Sequence, residues 1–305
     1  MLPRTRLYRQ AMAKFLIFYT FHRLDPLSIN RLRQIMALNP GAAVVPCFGA
    51  GMRLPRSRLP RRIALEALMR LLQSPGIESA ISERSRRKLG DRAKRVRSAL
   101  RGLGLEPYFD FTPLGYYNQD KAIRNWFRAE GRGLDFDYLV YLEYDVYLTR
   151  SVSEIYSPYL KYDAAFVNFR EIDSSVSYWK WIKAPVGVKK GFEKWLRNRG
   201  CRTRLYLCFF PGLIISRPAV EAISSVRWPS GFCELRLPTI VSAMGFSCGR
   251  LDFPYVRFEG VPRSVIKENP SHGIFHSVRY DLPLGEILAG DSPAPRGPAS
   301  GKASP

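Results

Sequence analysis

The stretch that most constrains this chain runs from Asp135 to Arg150, DFDYLVYLEYDVYLTR. Tyr138, Leu139, Val140, Tyr141 and Leu142 form an unbroken run of aromatic, aliphatic and β-branched residues. A strand buried on both faces reads this way, although periodicity by itself also admits a buried helix. Glu143-Tyr144-Asp145 then breaks the run. If the strand continues, side chains repeat every second residue and both carboxylates face the same way. Two like charges on one side of a buried element are unfavourable unless something positive sits between them. A hard divalent cation is one solution, because Mg²⁺ takes one or two carboxylates and keeps its other positions for phosphate and water. The other reading is a strand that surfaces and ends in solvated acids, with Tyr144 turned inward. So short a motif leaves both open.

YLVYLEYDVYLTR resembles the metal-binding centre of the GT-A glycosyltransferases, where a hydrophobic strand runs into a D-x-D or E-x-D signature. The resemblance implies one α/β domain, a mixed and mostly parallel sheet flanked by helices. It also implies that Glu143 and Asp145 hold Mn²⁺ or Mg²⁺ against the diphosphate of a nucleotide-sugar. A glutamate in first place departs from the commonest pattern and reaches one methylene further. Direct contact with the ion and contact through water are both open for Glu143.

Earlier in the chain, Phe15 to Tyr19 reads as a first strand. Asp25-Pro26 opens a helix as N-cap and first helical residue, with Leu27, Leu32, Ile35 and Met36 as its apolar stripe and Asn39-Pro40-Gly41 as its stop. Ala42 to Phe48 is a second strand, so the chain opens with a right-handed βαβ unit. In the resemblance, the loop from Thr20 to Arg23 holds the base and ribose, with Thr20 and Arg23 as contacts. His22 reads as an ordinary loop residue. Gly49-x-Gly51 lacks the third glycine and the helix of a dinucleotide fingerprint.

A proline-broken basic loop, Arg53 to Arg62, precedes a short helix over 63–72. Arg84 to Leu103 is a clearer helix: Leu89, Ala93, Val96, Leu100 and Leu103 share one stripe, and Arg and Lys cover the rest. Glu106 to Thr112 is a short strand. Asn118 caps a helix with Ala122, Ile123, Trp126 and Phe127 inward, ended by Gly131-Arg132-Gly133. By the resemblance this helix faces the donor, which makes Lys121 and Arg124 candidate phosphate contacts; plain solvent exposure is the alternative.

After the acids, 151–160 is irregular or a short helix, and Ala164 to Phe169 is a strand. Tyr178-Trp179-Lys180-Trp181 suits either sugar stacking or buried anchoring. Leu205 to Ser216 leads into a helix from Ala219, and Cys233 to Met244 carries a further helical pattern. In the resemblance these segments border the acceptor cleft, and Glu234 is the candidate general base if the anomeric configuration inverts. Its place at a helix start equally suits helix stabilisation or a pair with Arg236. In Ile274-Phe275-His276-Ser277-Val278-Arg279, the resemblance makes His276 the third metal ligand and gives Arg279 to the diphosphate. His272 raises a paired-histidine site, but Gly273 argues against a regular helix there, which favours His276 alone.

Composition decides the remaining classes. With 305 residues, 46% hydrophobic and 13% aromatic, the chain is globular and long enough for a sizeable core. No segment approaches the roughly 20 apolar residues of a membrane span. Five cysteines, odd in number and without a C-x-x-C pair, read as reduced thiols in a cytoplasmic protein. Charge is the unusual property: 48 Lys+Arg against 26 Asp+Glu give +22, and residues 1–104 alone hold 22 Lys+Arg against 5 Asp+Glu. That asymmetry suits a polyanionic partner, or a merely solvated basic face. Nucleic acid is the less favoured partner, because no aromatics interleave the basic helix.

The expected organisation is a basic lead-in over 1–13, one GT-A-like domain over 14–288, and a disordered Gly/Ser/Pro/Ala tail over 289–305. The expected function is metal-dependent transfer of a sugar from a nucleotide-diphosphate donor to a glycan or lipid-linked acceptor. Its expected place is the cytoplasm, with the basic first third against the anionic inner face of the membrane. The alternatives are a non-catalytic basic protein that binds nucleic acid or membrane, and a GT-A fold kept only for binding.

Overall fold

The computed structural model describes residues 13–49, 75–112, 118–172, 186–201, 204–229 and 231–288. The lead-in, the basic loop from Arg53, the helix expected over 63–72, the Tyr178–Trp181 cluster and the tail from Ala289 lie outside the described residues.

Strand β1, Phe15–Phe21, is followed by α1, Pro26–Leu38, and β2, Ala43–Gly49. The expected cap is in place: the Asp25 carboxylate accepts from the Ser28 amide at the start of α1. Helix α2, Pro75–Arg101, leads to β3, Tyr108–Asp110, which is shorter than the strand expected from Glu106. It also begins earlier than the sequence indicates and is kinked at Gly90, whose φ of 24° is not helical. Helix α3, Gln119–Ala129, precedes β4, Tyr138–Glu143. Asn118 makes no side-chain cap on α3; its side-chain Oδ1 accepts instead from the Arg236 guanidinium at 3.1 Å.

The chain continues through β5 (Tyr147–Leu148), α4 (Val152–Tyr156), β6 (Ala164–Glu171), α5 (Val186–Arg197), β7 (Tyr206–Ser216), α6 (Arg217–Ser225), α7 (Cys233–Ala243) and β8 (Cys248–Leu251). It ends in α8 (Arg263–Glu268), β9 (Ile274–Phe275) and α9 (Leu284–Leu288). Seven strands form one sheet in the order β3-β2-β1-β4-β7-β6-β8. All its pairings are parallel except those of β7, which runs against both β4 and β6. The protein is thus an α/β domain with a mixed, mostly parallel sheet flanked by helices, as expected.

Alternation along the central strands explains the two layers. Leu16 and Phe18 of β1 and Leu139 and Tyr141 of β4 pack on one face, with Trp126 and Phe127 of α3, Ile223 of α6 and Ile240 of α7. Ile17 and Tyr19, with Val140 and Leu142, pack on the other face against Leu32 and Ile35 of α1 and Val96 and Leu100 of α2. A strand covered on both sides must be apolar at every position, which is why 138–142 shows no polar alternation. The buried ion pair of Asp120 with Arg236 ties the start of α3 to the first turns of α7, and Arg236 also donates to the Gly231 carbonyl.

β5 and β9 form a separate antiparallel ribbon, with Tyr147 opposite Phe275 and Leu148 opposite Ile274. That ribbon brings the C-terminal segment to the end of β4.

Candidate metal centre

β4 ends at Glu143, and the chain turns at Tyr144-Asp145, closed by a hydrogen bond from the Val146 amide to the Glu143 carbonyl at 2.9 Å. The sequence spacing suggests two acids on one face of a continuing strand. The structure corrects this: the strand has stopped, and the turn makes the carboxylates converge. Asp145 is buried, with its peptide held by the Val278 amide, which donates to the Asp145 carbonyl at 2.8 Å.

The ribbon delivers His276 to this turn. Glu143, Asp145 and His276 each offer a donor atom, and these atoms lie within 4.8 Å of one another. They are the one such group of three or more His, Cys, Asp or Glu side chains among the described residues. His272 is exposed, with its ring against Tyr255, and Gly273 has a φ of 80°, so no paired-histidine helix forms.

The ring of His276 is oriented by its second nitrogen. Nδ1 lies 2.9 Å from the Arg257 carbonyl oxygen, which can only accept, so Nδ1 carries a hydrogen. Nε2 then faces Asp145 Oδ1 at 3.4 Å. That oxygen is buried and makes no hydrogen bond among the described residues. Its partner Oδ2 is well served: the Ser277 hydroxyl donates to it at 2.6 Å and Arg279 Nε at 3.3 Å. One carboxylate oxygen is therefore tied down, and the other faces an imidazole nitrogen without a hydrogen bond.

A separation of 3.4 Å admits two donors on one ion, whose bonds of about 2.1 Å would then open to roughly 110°. It is long for a charge-assisted N–H···O bond of about 2.8 Å. The donor set of two carboxylates and one oriented imidazole fits Mn²⁺, and with more water Mg²⁺. The Arg257 carbonyl would then be the outer partner that orients His276 as a ligand.

Burial, and then the charge of Asp145, push the Glu143 carboxyl up to about 7. Burial pushes Asp145 the same way, but His276, Ser277 and Arg279 outweigh it and hold that carboxyl at about 2. Burial works against a proton on His276, yet the Asp145 carboxylate prevails and raises the imidazole above its ordinary value.

Gln119, absent from the sequence expectations, holds Glu143: its Nε2 donates to Oε1 at 2.8 Å. The Cys233 thiol contacts the Gln119 carbonyl oxygen at 3.6 Å and fixes which way the amide faces. Burial keeps that thiol protonated. Ser277 was also missed, although it stands between His276 and Arg279. Arg31, buried in α1, lies over the Tyr147 ring at 4.4 Å and donates to the Val278 and Tyr280 carbonyls on either side of Arg279. Burial lowers its guanidinium to about 10. A basic residue inside an amphipathic helix gives no sequence signal for this role.

The other expected residues surround the centre. Thr20 pairs in register with Glu143 and donates to the Tyr141 hydroxyl at 2.9 Å. The loop after β1 packs on the acidic turn through His22, whose ring meets Tyr144 edge-on at 5.0 Å, and Arg23 is exposed beside it. Arg279 has an exposed side chain anchored at Nε by Ser277 Oγ at 2.8 Å. Lys121 and Arg124 are half-buried on α3, and the Arg124 guanidinium lies 4.9 Å over the Trp228 ring. Glu234 is buried in the first turn of α7, beside the Cys233 that reaches Gln119. Arg236 pairs with Asp120, so the partner that the sequence offered for Glu234 is engaged elsewhere.

No family model matches the chain, and no curated protein matches it. Among solved structures it is similar to the galactosyltransferase LgtC in complex with donor and acceptor sugar analogues. The alignment has 10% identity and a TM-score of 0.30, and covers 77% of this chain and 72% of that one. The fold assignment above rests on the sheet and its register.

Proposed function

We propose that this protein transfers a sugar from a nucleoside-diphosphate donor to an acceptor hydroxyl, with a divalent cation held by Glu143, Asp145 and His276. The observation that carries the reading is the orphaned, buried Asp145 Oδ1 facing His276 Nε2 at 3.4 Å. When bound, the ion would act as a Lewis acid on the diphosphate leaving group.

The chain's own residues have separable tasks in this reading. Gln119 holds one oxygen of Glu143 and leaves the other for the ion. Arg279, anchored at Nε and exposed at its tip, offers the rest of its guanidinium to diphosphate oxygens. Thr20 in β1 and Arg23 in the loop after it are the candidate contacts to the ribose and base, Thr20 only if its hydroxyl leaves Tyr141. Lys121 and Arg124 remain candidate phosphate contacts, the latter only if it leaves Trp228. Glu234 is the candidate base for an inverting reaction, taking the proton of the attacking hydroxyl.

The acceptor is a glycan or a lipid-linked sugar. No helix of the described residues is long and apolar enough to cross a membrane. Helix α2 instead exposes Arg84, Arg86, Arg87, Lys88, Lys94, Arg95 and Arg97, a face suited to anionic headgroups where a lipid-linked acceptor is presented.

The test is calorimetric titration of nucleoside diphosphates with and without Mn²⁺, alongside metal-dependent hydrolysis of UDP- and GDP-sugars. Asp145→Asn should stay folded and lose the metal-dependent part of binding. Unchanged Mn²⁺-dependent binding by that variant would refute the assignment.

A further inference from the structure

Among the described residues, three large apolar side chains are exposed: Leu24 at 37%, Leu134 at 38% and Phe258 at 54%. The last lies two ring contacts out from His276, on the loop whose Arg257 carbonyl meets the Nδ1 side of that ring. The Phe258 ring packs on Phe209 with centroids 4.5 Å apart, and Phe209 meets the His276 ring edge-on at 5.2 Å. These contacts keep the Phe258 ring within about 10 Å of the imidazole, in a chain of rings stepping outward from it.

The loop that bears Phe258 is clamped to the metal-ligand segment at both ends. Val256 bridges His276 in parallel, and the Arg257 amide donates to the His276 carbonyl at 3.0 Å. On the far side the Val261 amide donates to the Ser277 carbonyl at 3.2 Å. Gly260 turns the chain between them with a φ of 80°, and a side chain there would press on the Ser277 carbonyl. An aromatic ring is thus held out to solvent on a short, tied loop, and its chain neighbours Arg257 and Glu259 are exposed too.

A single exposed phenylalanine is unremarkable elsewhere on a surface. Here its support from beneath is rigid and its neighbours are charged. A flat apolar face flanked by hydrogen-bonding groups fits a pyranose ring, which carries C–H groups on one face and hydroxyls at its rim. We infer that Phe258 is the stacking platform of a sugar subsite, with Arg257 and Glu259 placed for the hydroxyls. The inference rests on the transferase reading above, and the ring it assigns to Phe258 is that of the acceptor sugar.

The test uses saturation-transfer NMR on the full chain with Mg²⁺ and UDP or GDP. The probes are the methyl glycosides of glucose, galactose, mannose and N-acetylglucosamine. The wild type should show transfer to at least one. Phe258→Ala should weaken that sugar's binding about 5-fold or more, and Phe258→Trp should restore it. Circular dichroism confirms that each variant folds. No transfer to any sugar in the wild type, or equal transfer in Phe258→Ala, overturns the platform. If Phe258→Ala instead loses affinity for the nucleoside diphosphate alone, the ring stacks on a base and the sugar assignment falls. Calorimetry of metal and nucleoside diphosphate on the wild type keeps the two readings apart. Failure there removes the transferase reading, and success there with a failed sugar test removes only the platform.

Discussion

Asp145 divides its two oxygens between different tasks, and the consequences can be measured one side chain at a time. Oδ2 is tied by Ser277 and Arg279, and Oδ1 faces His276 without a hydrogen bond. Gln119 has an outer role toward Glu143 like that of the Arg257 carbonyl toward His276. Gln119→Leu should therefore lower Mn²⁺ affinity by about 10–100-fold without removing a ligand, as measured by calorimetry. Equal affinity would make the Gln119 contact incidental. Glu143 also sets a pH dependence in the metal-free protein. Its carboxyl is raised to about 7, above an ordinary value near 4.5, so between these values the folded state binds more protons than the unfolded one. Stability must then fall as pH rises from about 4.5 to about 7. The raised imidazole of His276 acts in the same direction, its contribution being lost as pH rises through its folded value. Glu143→Gln should flatten the decline, by no more than about 3 kcal/mol because Glu143 is partly exposed. Thermal unfolding of both metal-free proteins across that window is the measurement. Parallel curves would mean that Glu143 titrates normally.

Two elements hold the centre together, and each has a weak point. The β5–β9 ribbon depends on Gly273, where φ is 80° and an added Cβ would lie 2.7 Å from Ile155 Cγ1. Gly273→Ala should cost about 1–3 kcal/mol and weaken Mn²⁺ binding together, since the strain falls at the start of β9, which leads into His276. Denaturant unfolding and calorimetry on one sample check both halves. Beneath the centre, Asp120 and Arg236 form a wholly buried pair that aligns α3 with α7 and so positions Gln119 beside Cys233. Asp120→Ala leaves the guanidinium buried without its charge partner and should cost about 3–5 kcal/mol. The exposed pair of Arg204 with Glu171 should cost under about 1 kcal/mol when broken. A comparable loss at both sites would show that burial does not set the difference.

At the scale of the whole molecule, the net charge of +22 has a spatial expression along one face of α2. Several cations there already have partners: Arg87 with Glu83, Lys94 with Asp91, Arg97 with Glu106, and Arg92 over Phe48. The ion pairs are exposed, and the cations still outnumber the acids there. The protein should float with anionic vesicles at low salt, not with neutral ones. It should be released as salt rises, because exposed charges are screened beyond about 10 Å at 0.1 M. Equal flotation with both, or with neither, would leave only a solvated basic face.

Some of this was legible along the chain because its cause is local. Tyr138 to Leu142 read as a doubly buried strand because the run is apolar or aromatic without polar alternation, and Asp25-Pro26 as a helix start because capping involves only adjacent residues. The acids at 143 and 145 and the histidine at 276 were recognisable by type and order. Their convergence was not. It depends on a turn that ends β4 two residues early and on pairing of β5 with β9 across more than a hundred residues, and nothing in local spacing encodes that register. The same holds for the reversed direction of β7, for Gln119, and for Arg236, which takes Asp120 from another helix instead of its near neighbour Glu234. Propensity and periodicity determine which residues are buried and where elements begin. Which distant polar groups meet is decided only when the tertiary fold removes them from water and leaves each to be satisfied by whatever the packing brings within reach.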